Sequence, residues 1–515
     1  MFDLVIKNGN IIDGTGTPHY IADIGIKDGK IACIKKNIIG GEEIIDATGL
    51  TVTPGFIDSH SHSDSSVLNF PESIEKIEQG ITTSIAGQCG IAPAPISKDA
   101  TEYEISSLGK NVDIYKTTGC FIETLKKVPL GSNIALFVGH SALRNAVMGP
   151  FDREPTQDEL EHMGALLREG LKSGAKGLSF GLIYPPSYFA KTDELIYLAT
   201  VCAEEGGVIS AHIRDEGYKL YEACEEFLEV IKKSGARAVF SHHKAMYKAN
   251  WGKVNHTIKM IDEANSSGFD VFCDVYPYTA SHTSLSARFI PKEYHSGGVN
   301  ALIENLLNEE IRNKIKSVNL EKYGKNDCLD WVLVTSCPAT PELEGLTLDV
   351  IAQRLNLDVY DAIFELLIKN NACCSGCYFL MCEDDVEKVI SYPRAMICTD
   401  SAVQGNSSVY HPRLRGSFPR AIGRYSREKV LVPLHEMIRK MTSMPATVYN
   451  LQNKGLLKTG FDADICIFEA NTILDQSDFA SCHNRASGLN YVILNGKIVV
   501  KDAVYNGVKT GTVII

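Results

Sequence analysis

Histidine, cysteine and aspartate residues stand where short apolar segments of this 515-residue sequence end. His60 and His62 occupy alternate positions, so both imidazoles of an extended segment project to the same side and can bind one ion. Cys89 follows a second apolar segment beside glycines that permit close backbone approach, and Asp400 ends a third. Each residue alone has a common structural explanation, but together they offer ligands that zinc accepts. The pattern predicts a zinc site beside which Asp400 can act as general base and then as general acid.

Two more histidines end apolar segments that lie about one strand and one helix apart, His212 and His242. Neutral imidazole is a good zinc ligand, so both are candidates for the same site. His243 competes with His242 for this role. Because neighbouring residues of a strand point to opposite faces, only one of these two should face the metal.

Eight short apolar runs alternate with helical patterns, which is typical of βα units and a parallel sheet. The runs end within residues 57–60, 84–89, 136–140, 177–180, 208–212, 238–242, 271–276 and 395–400. They predict an α/β fold with a closed (β/α)8 TIM-like barrel, although an open doubly wound sheet has similar local patterns. Barrel active sites lie at the carboxyl ends of the strands, where most of these runs carry a possible metal ligand.

Between the third and fourth runs, residues 156–172 have the opening and closing signals of a helix. The gap from about 279 to 393 is too long for one helix and predicts an insertion or lid with helices near 299–317 and 347–369. The barrel would then span 55–454.

Both ends of the chain have the alternating pattern of half-buried strands. Residues 3–13 and 21–34 alternate around the turn signals Asn8-Gly9 and Asp28-Gly29, and residues 463–468 and 491–500 repeat the pattern. We expect residues 1–54 and 455–515 to form a small β domain, although the sequence does not show that the two ends meet.

The net charge narrows the classes of partner that the protein is expected to bind. A formal charge of −12 argues against nucleic-acid and anionic-membrane partners and leaves a small-molecule substrate. The sequence begins with no basic and apolar leader and contains no run of 18 apolar residues.

Its 15 cysteines are odd in number and scattered, which favours a reducing, cytoplasmic location. Cys373, Cys374 and Cys377 lie close together without a second pair nearby, which favours structural thiols over a metal site.

The sequence resembles the amidohydrolase superfamily, and within it the N-acyl-D-amino-acid deacylases, over nearly its whole length. The matching segments lie at 54–62, 80–83, 87–91, 139–144, 174–179, 241–244, 250–252, 274–278, 411–413 and 418–420. The resemblance implies a (β/α)8 barrel with a small β-sandwich domain built from both termini. It also implies hydrolysis of the amide bond of N-acyl-D-amino acids, which releases a free D-amino acid and a carboxylate.

The resemblance further implies a tightly bound zinc held by Cys89, His212 and His242. A weaker second metal would lie near His60, His62 and Asp400, with Cys89 able to bridge the two. In many relatives a carboxylated lysine at the fourth strand bridges the metals, but Lys176 lies at the beginning of that strand, so Cys89 would supply the bridging ligand.

Four residues match family positions near the substrate: Tyr184, Lys244, Tyr276 and Arg413. A guanidinium can clamp a carboxylate through two hydrogen bonds, and tyrosines can donate to a developing oxyanion. Ser63, Pro186 and the Thr-Asp-Ser sequence at 399–401 depart from the family pattern. These departures leave the acyl group and the amino-acid preference open, and the oligomeric state is open as well.

Two alternatives remain at this point. A cyclic-amide hydrolase of the hydantoinase or dihydroorotase kind would share the fold and the metal chemistry, but a bridging cysteine without the strand-four lysine weighs against it. A non-enzymatic scaffold on the same fold is disfavoured because every candidate ligand and Asp400 are present.

Overall fold

A ring of eight parallel strands forms the centre of the computed structural model, which describes residues 1–96, 115–323, 329–403 and 409–515. The ring closes where Asp400 donates its backbone N–H to the carbonyl of His60 at 2.9 Å and Ser61 bridges Ser401 in parallel. The predicted (β/α)8 barrel is therefore confirmed. Its strands are Phe56–Asp58, Ile81–Ala86, Asn133–Leu136 continued by Val138–Gly139, Gly177–Gly181, Val208–His212, Arg237–Phe240, Val271–Val275 and Ala395–Ile397.

Helices follow the barrel strands and cover the ring. The predicted helix after residue 156 is present, because Thr156 and Glu159 cap its first turn reciprocally through each other's backbone N–H groups. Among the described residues, the helices around the barrel are Ile74–Ile77, Thr118–Leu125, His140–Met148, Gln157–Lys172, Thr192–Glu204, Leu220–Ser234, Val254–Ser266, Glu383–Ser391, Arg413–Arg420 with the π-helical Ala421–Glu428, Leu434–Met441 and Ser443–Val448. Glu383–Ser391 falls between 279 and 393 but packs in the barrel core, so the insertion ends before it. Short 3-10 turns lie at Ser63–Ser65, Ser187–Phe189 and Lys248–Asn250.

The insertion after the seventh barrel strand has an apolar core of its own. It contains a three-stranded antiparallel sheet that was not predicted, with the strand order Ser281–Ser284, Ser375–Tyr378, Val332–Ser336. Its helices are Leu285–Phe289, Gly298–Leu307, Glu309–Tyr323, Leu348–Leu355 and Val359–Lys369, with 3-10 turns at Lys292–His295 and Pro341–Leu343.

Each of the two helices predicted in the insertion is in fact a pair of helices. Asn308 interrupts the first with an extended backbone and accepts the N–H of Ile311 through its side chain. In the second pair, Asn356 ends the helix Leu348–Leu355 with a left-handed backbone, φ 53°, and Asp358 caps the start of the helix Val359–Lys369. Helical periodicity continues across both breaks, so only the capping residues signalled them.

Strands from both ends of the chain form one nine-stranded sheet. The ends meet where Ile465–Phe468 pairs antiparallel with Thr51–Pro54. The remaining strands are Leu4–Ile11, Tyr20–Lys27, Lys30–Lys35, Glu43–Asp46, Leu489–Leu494, Lys497–Lys501 and Val504–Tyr505. The predicted β domain is thus present beside the barrel.

The two turn signals near the amino terminus behave differently. Asp28 and Gly29 connect two antiparallel strands, as predicted. Asn8 and Gly9 instead lie within the first strand, where the pairing register shifts and Asn8 adopts φ 57°. The prediction of a turn there was wrong, because a bulge uses the same left-handed backbone as a hairpin turn.

A buried ion pair joins the first and eighth barrel strands. Lys76 donates to the carboxylate of Asp58 at 2.9 Å, and neither side chain is exposed. Asp58 also accepts the backbone N–H of Thr399 at 2.8 Å, and Lys76 donates to the carbonyl of Ser401 at 2.9 Å. These bonds hold the backbone on both sides of Asp400.

Within the described residues, no helix combines the length and the apolar character needed to cross a membrane.

Candidate active site

Three imidazoles converge on the thiol of Cys89 at the carboxyl ends of the barrel strands. Its Sγ lies 3.3 Å from Nε2 of His60, 3.3 Å from Nε2 of His242 and 3.7 Å from Nδ1 of His212. Burial raises the pKa of the thiol, but the neighbouring His60 and His242 outweigh this and lower that pKa well below its ordinary value. The cluster therefore favours a thiolate.

These separations agree with the spacing of two ligands on one tetrahedral zinc ion. Zn–S bonds of about 2.3 Å and Zn–N bonds of about 2.0–2.1 Å put sulfur and nitrogen roughly 3.6 Å apart. The ligand atoms of Cys89, His212 and His242 all lie within 4.8 Å of one another and can hold an ion. The donor atoms present therefore fit zinc in both chemistry and distance.

A second group of possible ligands shares Cys89 with the first. It contains His60, His62 and Asp400, whose ligand atoms also lie within 4.8 Å of one another. Oδ1 of Asp400 is 3.2 Å from Nε2 of His62 and 3.5 Å from Nε2 of His60. The predicted His-x-His pair thus points to one side, and Cys89 lies between the two groups.

Three of these residues have an unusual backbone conformation. Cys89, His242 and Asp400 are not glycine, yet they adopt φ values of 54°, 36° and 49°. Such conformations cost about 1–3 kcal/mol each and occur where the surrounding structure imposes them, often at functional sites. Beside Cys89, Gly87 lies against the barrel wall, and a Cβ at that position would come within 2.5 Å of the carbonyl oxygen of Phe137. The sharp turns after the strands bring these side chains into the mouth of the barrel.

His242 and His243 separate as strand geometry predicts. His242 contacts Cys89, whereas Nε2 of His243 lies 2.7 Å from the hydroxyl of Thr257 on the helix Val254–Ser266. Burial lowers the pKa of His243 to about 4. His243 is therefore a neutral residue of the barrel wall.

Asp400 is paired with a cation. Its Oδ2 accepts a hydrogen bond from Nη1 of Arg413 at 2.7 Å. Burial raises the pKa of Asp400, but Arg413 and His242 outweigh it and hold that pKa well below its usual range. Asp400 is thus an ionised acceptor beside both groups of ligands.

Glu216 is a further residue of the site that the sequence patterns did not indicate. Its Oε1 accepts a hydrogen bond from Lys244 at 2.5 Å and lies 3.0 Å from Nδ1 of His242. Its Oε2 lies 3.3 Å from Nε2 of His212, in an orientation that makes no hydrogen bond. Burial raises the pKa of Glu216, but His212 and Lys244 lower it well below its ordinary value. Its position four residues after His212 was the feature of the sequence that could have indicated it.

Asp274 was also missed, although it belongs to a predicted strand. Its Oδ1 accepts the backbone N–H of His242 at 2.5 Å, and its Oδ2 lies 3.6 Å from Nδ1 of His60. The carboxylates of Asp274 and Glu216 thus lie behind the imidazoles, on the side away from Cys89. Carboxylates in this position orient histidine ligands and raise their basicity.

A cavity of about 330 Å³ is lined by His62, Cys89, His212, His242 and Asp400, and by all four residues predicted to lie near the substrate. His60 lies buried behind its wall. Tyr184 shares a hydrogen bond with Thr283 of the insertion at 2.9 Å. The ring of Tyr276 lies between two cations, with its centroid 5.5 Å from Nζ of Lys244 and 4.6 Å from Cζ of Arg413.

The remaining cysteines of interest lie elsewhere. Cys374 and Cys377 are buried, and burial raises the pKa of Cys377 to about 12. Among the residues that the structure describes, the possible metal-binding groups of three or more ligands both contain Cys89, and neither includes the thiols at 373, 374 and 377. Lys176 directly precedes the fourth barrel strand, at the end opposite the cavity.

Comparisons with known proteins agree with this geometry. Residues 43–312 and 395–500 match the Amidohydrolase family. D-aminoacylase from Alcaligenes xylosoxydans xylosoxydans is 32% identical over 515 residues, which are 100% of this chain and 97% of that protein. N-acyl-D-glutamate deacylase from the same organism is 34% identical over 505 residues, which are 97% of this chain and 94% of that protein.

A solved structure is similar over the full length. N-acyl-D-glutamate deacylase from Bordetella bronchiseptica, complexed with zinc and a phosphonate mimic of the tetrahedral intermediate, superposes with a TM-score of 0.86 at 32% identity. The match covers 100% of this chain and 99% of that one. The barrel, the buried cluster of cysteine and histidines and these full-length similarities lead to one conclusion: the chain belongs to the amidohydrolase family.

Proposed function

We propose that this protein is a zinc-dependent amidohydrolase that cleaves the amide bond of N-acyl-D-amino acids. The observation that carries the proposal is the convergence of Cys89 with three imidazoles beside Asp400 at the cavity in the barrel mouth. The substrate class and the D configuration rest on the relatives, which are named D-aminoacylase and N-acyl-D-glutamate deacylase. The products are a carboxylate and a free D-amino acid.

Cys89, His212 and His242 are the ligands proposed for the tightly bound zinc. His60, His62 and Asp400, together with Cys89, would hold a weaker second ion. When bound, zinc polarises a carbonyl group and lowers the pKa of a coordinated water to about 7. Oε1 of Glu216 lies 3.0 Å from Nδ1 of His242 and would orient this ring by accepting its proton when Nε2, which faces Cys89, binds the metal.

Asp400 is the proposed general base and acid. As water attacks the amide carbon, its carboxylate accepts a proton from that water, and a C–O bond forms. When the C–N bond breaks, Asp400 returns the proton to the leaving nitrogen. Arg413 keeps Asp400 ionised before the attack, because the ion pair favours the carboxylate form.

Arg413 is also proposed to hold the α-carboxylate of the substrate. The two-bond clamp expected from the sequence needs revision, because Nη1 already donates to Asp400 and Nε donates to Ser401 at 3.2 Å. Nη2 makes neither of these bonds and can donate to the substrate. One guanidinium would then connect the substrate carboxylate to the general base.

The two alternative functions are less consistent with the site. A cyclic-amide hydrolase is disfavoured because Lys176 lies at the wrong end of its strand to bridge metals and Cys89 occupies the centre of the site. A scaffold without activity is disfavoured because it has no need for an ionised, buried Asp400 in the cavity. We place the protein in the cytoplasm because no two cysteines in the described ranges form a disulfide bond.

A screen of N-acetyl and N-formyl amino acids of both configurations tests the proposed function. The zinc-loaded protein should release free amine from members of the D series and leave their L counterparts intact. Hydantoin and dihydroorotate serve as cyclic controls. Release only from the cyclic amides, or from no amide, would reject the proposal.

Replacing Cys89 with alanine should abolish both zinc retention and activity, because the loss of one of three protein ligands leaves the ion poorly held. Metal content after gel filtration and amine release are the two measurements. Cys202→Ala is the matched control, since Cys202 is equally buried but lies on the helix Thr192–Glu204 outside the cavity. A zinc-replete, active Cys89→Ala protein would contradict the ligand assignment.

Asp400→Asn should retain the tight zinc, whose proposed ligands lie elsewhere, and lose at least about 10²-fold in kcat because proton transfer fails. Asp385→Asn is the control, because Asp385 is a buried carboxylate that accepts the N–H of Gly252 away from the cavity. Near-normal turnover by Asp400→Asn would require a different general base.

Arg413→Lys should cost about 2–4 kcal/mol in transition-state stabilisation for an N-acyl-D-amino acid, seen as a higher KM and a lower kcat. Lysine retains the charge but cannot bond to Asp400 and the substrate in the same geometry. The substrate's α-carboxamide analogue should lose less, because only the effect through Asp400 remains. Equal losses for the acid and the amide would refute the carboxylate role of Arg413.

A further inference from the structure

A second cavity, of about 630 Å³, adjoins the first cavity of about 330 Å³ at the proposed metal ligands. Ser284 and Ser375 line both cavities and are paired across the insertion sheet. The segment after the fourth barrel strand also borders both, because Tyr184 lines the first cavity whereas Pro185 and Pro186 line the second. The two cavities are therefore neighbours with a common border.

The two cavities differ in charge. The first is lined by charged residues that include Glu216, Lys244 and Arg413. Among the described residues that line the second, none is lysine, arginine, aspartate or glutamate. His295 lines it as well, but burial and the neighbouring Lys292 lower the pKa of this imidazole to about 4, so it is neutral. Because a buried charge without a partner is costly, the second cavity suits an uncharged ligand.

Apolar and uncharged polar groups make up the wall of the second cavity. Phe151, Val299 and Leu302 contribute apolar surface, and Ser336 and Asn371 contribute neutral polar groups. Small-molecule pockets in proteins have this composition and a volume of about 300–1,000 Å³. The second cavity thus has the size and the wall of a site for a neutral organic group that is much larger than a methyl group.

The direction of a linear substrate would bring its acyl group to this cavity. In a ring of eight strands, the fourth and the eighth lie on opposite sides. Arg413 follows the eighth strand, and Pro185 follows the fourth. A trans amide places its two substituents on opposite sides of the C–N bond. With the α-carboxylate at Arg413 and the amide beside Cys89, the acyl chain extends across the barrel mouth toward the fourth strand.

We propose that the second cavity binds the acyl group of the substrate, so that the protein prefers neutral acyl groups of several carbon atoms to acetyl. This inference rests on the proposed function, in which Arg413 holds the α-carboxylate. Each methylene group that leaves water for apolar surroundings strengthens binding about fourfold. A carboxylate at the end of the chain would instead lose its hydration without gaining a cation.

The test compares three acyl groups on the D-amino acid that the zinc-loaded wild-type protein hydrolyses best in the screen of N-acetyl and N-formyl substrates. The kcat/KM values of its N-acetyl, N-hexanoyl and N-adipoyl derivatives are measured. The hexanoyl and adipoyl chains are equally long and end in a methyl group and a carboxylate. The hexanoyl substrate should exceed the acetyl substrate by at least about 30-fold, mainly through a lower KM, and the adipoyl substrate by at least about 10-fold.

Substitution of Val299 tests whether the chain lies in the second cavity. Val299 lines this cavity from the first turn of the insertion helix Gly298–Leu307, where a helix accommodates an acidic residue. Val299→Asp should reduce the hexanoyl-to-acetyl ratio by at least about 10-fold, because it adds a charge beside the chain. Val299→Ala leaves the wall uncharged and should reduce the ratio less.

A matched control and a fold readout accompany these variants. Val318→Asp changes an exposed valine of the insertion helix Glu309–Tyr323 that lines neither cavity, and it should leave the ratio unchanged. Turnover of the acetyl substrate by Val299→Asp shows that the variant is folded.

Each contrary outcome decides against the inference. A wild-type preference for acetyl, or equal values for the hexanoyl and adipoyl substrates, would overturn the inference while the proposed function stands. Equal losses of the hexanoyl and acetyl substrates in Val299→Asp would make Val299 a structural residue and remove the chain from the second cavity. A wild-type protein that releases amine from no N-acyl-D-amino acid would overturn both the inference and the proposed function.

Discussion

The contact of one thiol with imidazoles from three different barrel strands is the interaction on which the rest of the site depends. Sγ of Cys89 is held within 3.7 Å of ring nitrogens from His60, His212 and His242, although these residues are far apart in sequence. Four polar groups this close, in a buried position, are stable together only if they share charge or an ion. The closed barrel supplies the rigid frame, because each of these residues ends or follows a strand that is bonded to its neighbours.

Outside this contact lies a layer of carboxylates that fixes the proposed ligands. Glu216 and Asp274 approach the histidines from behind, and Asp58 with Lys76 secures the backbone that flanks Asp400. Asp400 in turn shares a bond with Arg413 from the helix that follows the eighth strand. Removal of any member of this layer would leave a buried charge without its partner, at a cost of about 3–5 kcal/mol.

Much of this arrangement could be predicted from the sequence because it follows from local rules. The positions of the barrel strands predicted that His60, Cys89 and Asp400 would lie at one end of the ring, and strand alternation separated His242 from His243. The carboxylates behind the ligands could not be predicted in the same way. Whether Glu216 faces His242 or solvent depends on a turn between a strand and a helix, which has no periodic pattern. The pairing of Arg413 with Asp400 likewise depends on a tertiary contact. In the insertion, the helix breaks were missed because the helical apolar periodicity continues across them. The short strands there were missed as well.

The most direct test of this account is zinc K-edge X-ray absorption on the active, metal-loaded protein. The thiolate-centred site predicts one sulfur ligand at about 2.3 Å together with nitrogen and oxygen ligands at about 2.0–2.2 Å. A first coordination shell of only nitrogen and oxygen in a fully active protein would contradict it, because Cys89 would then not hold the ion that supports catalysis.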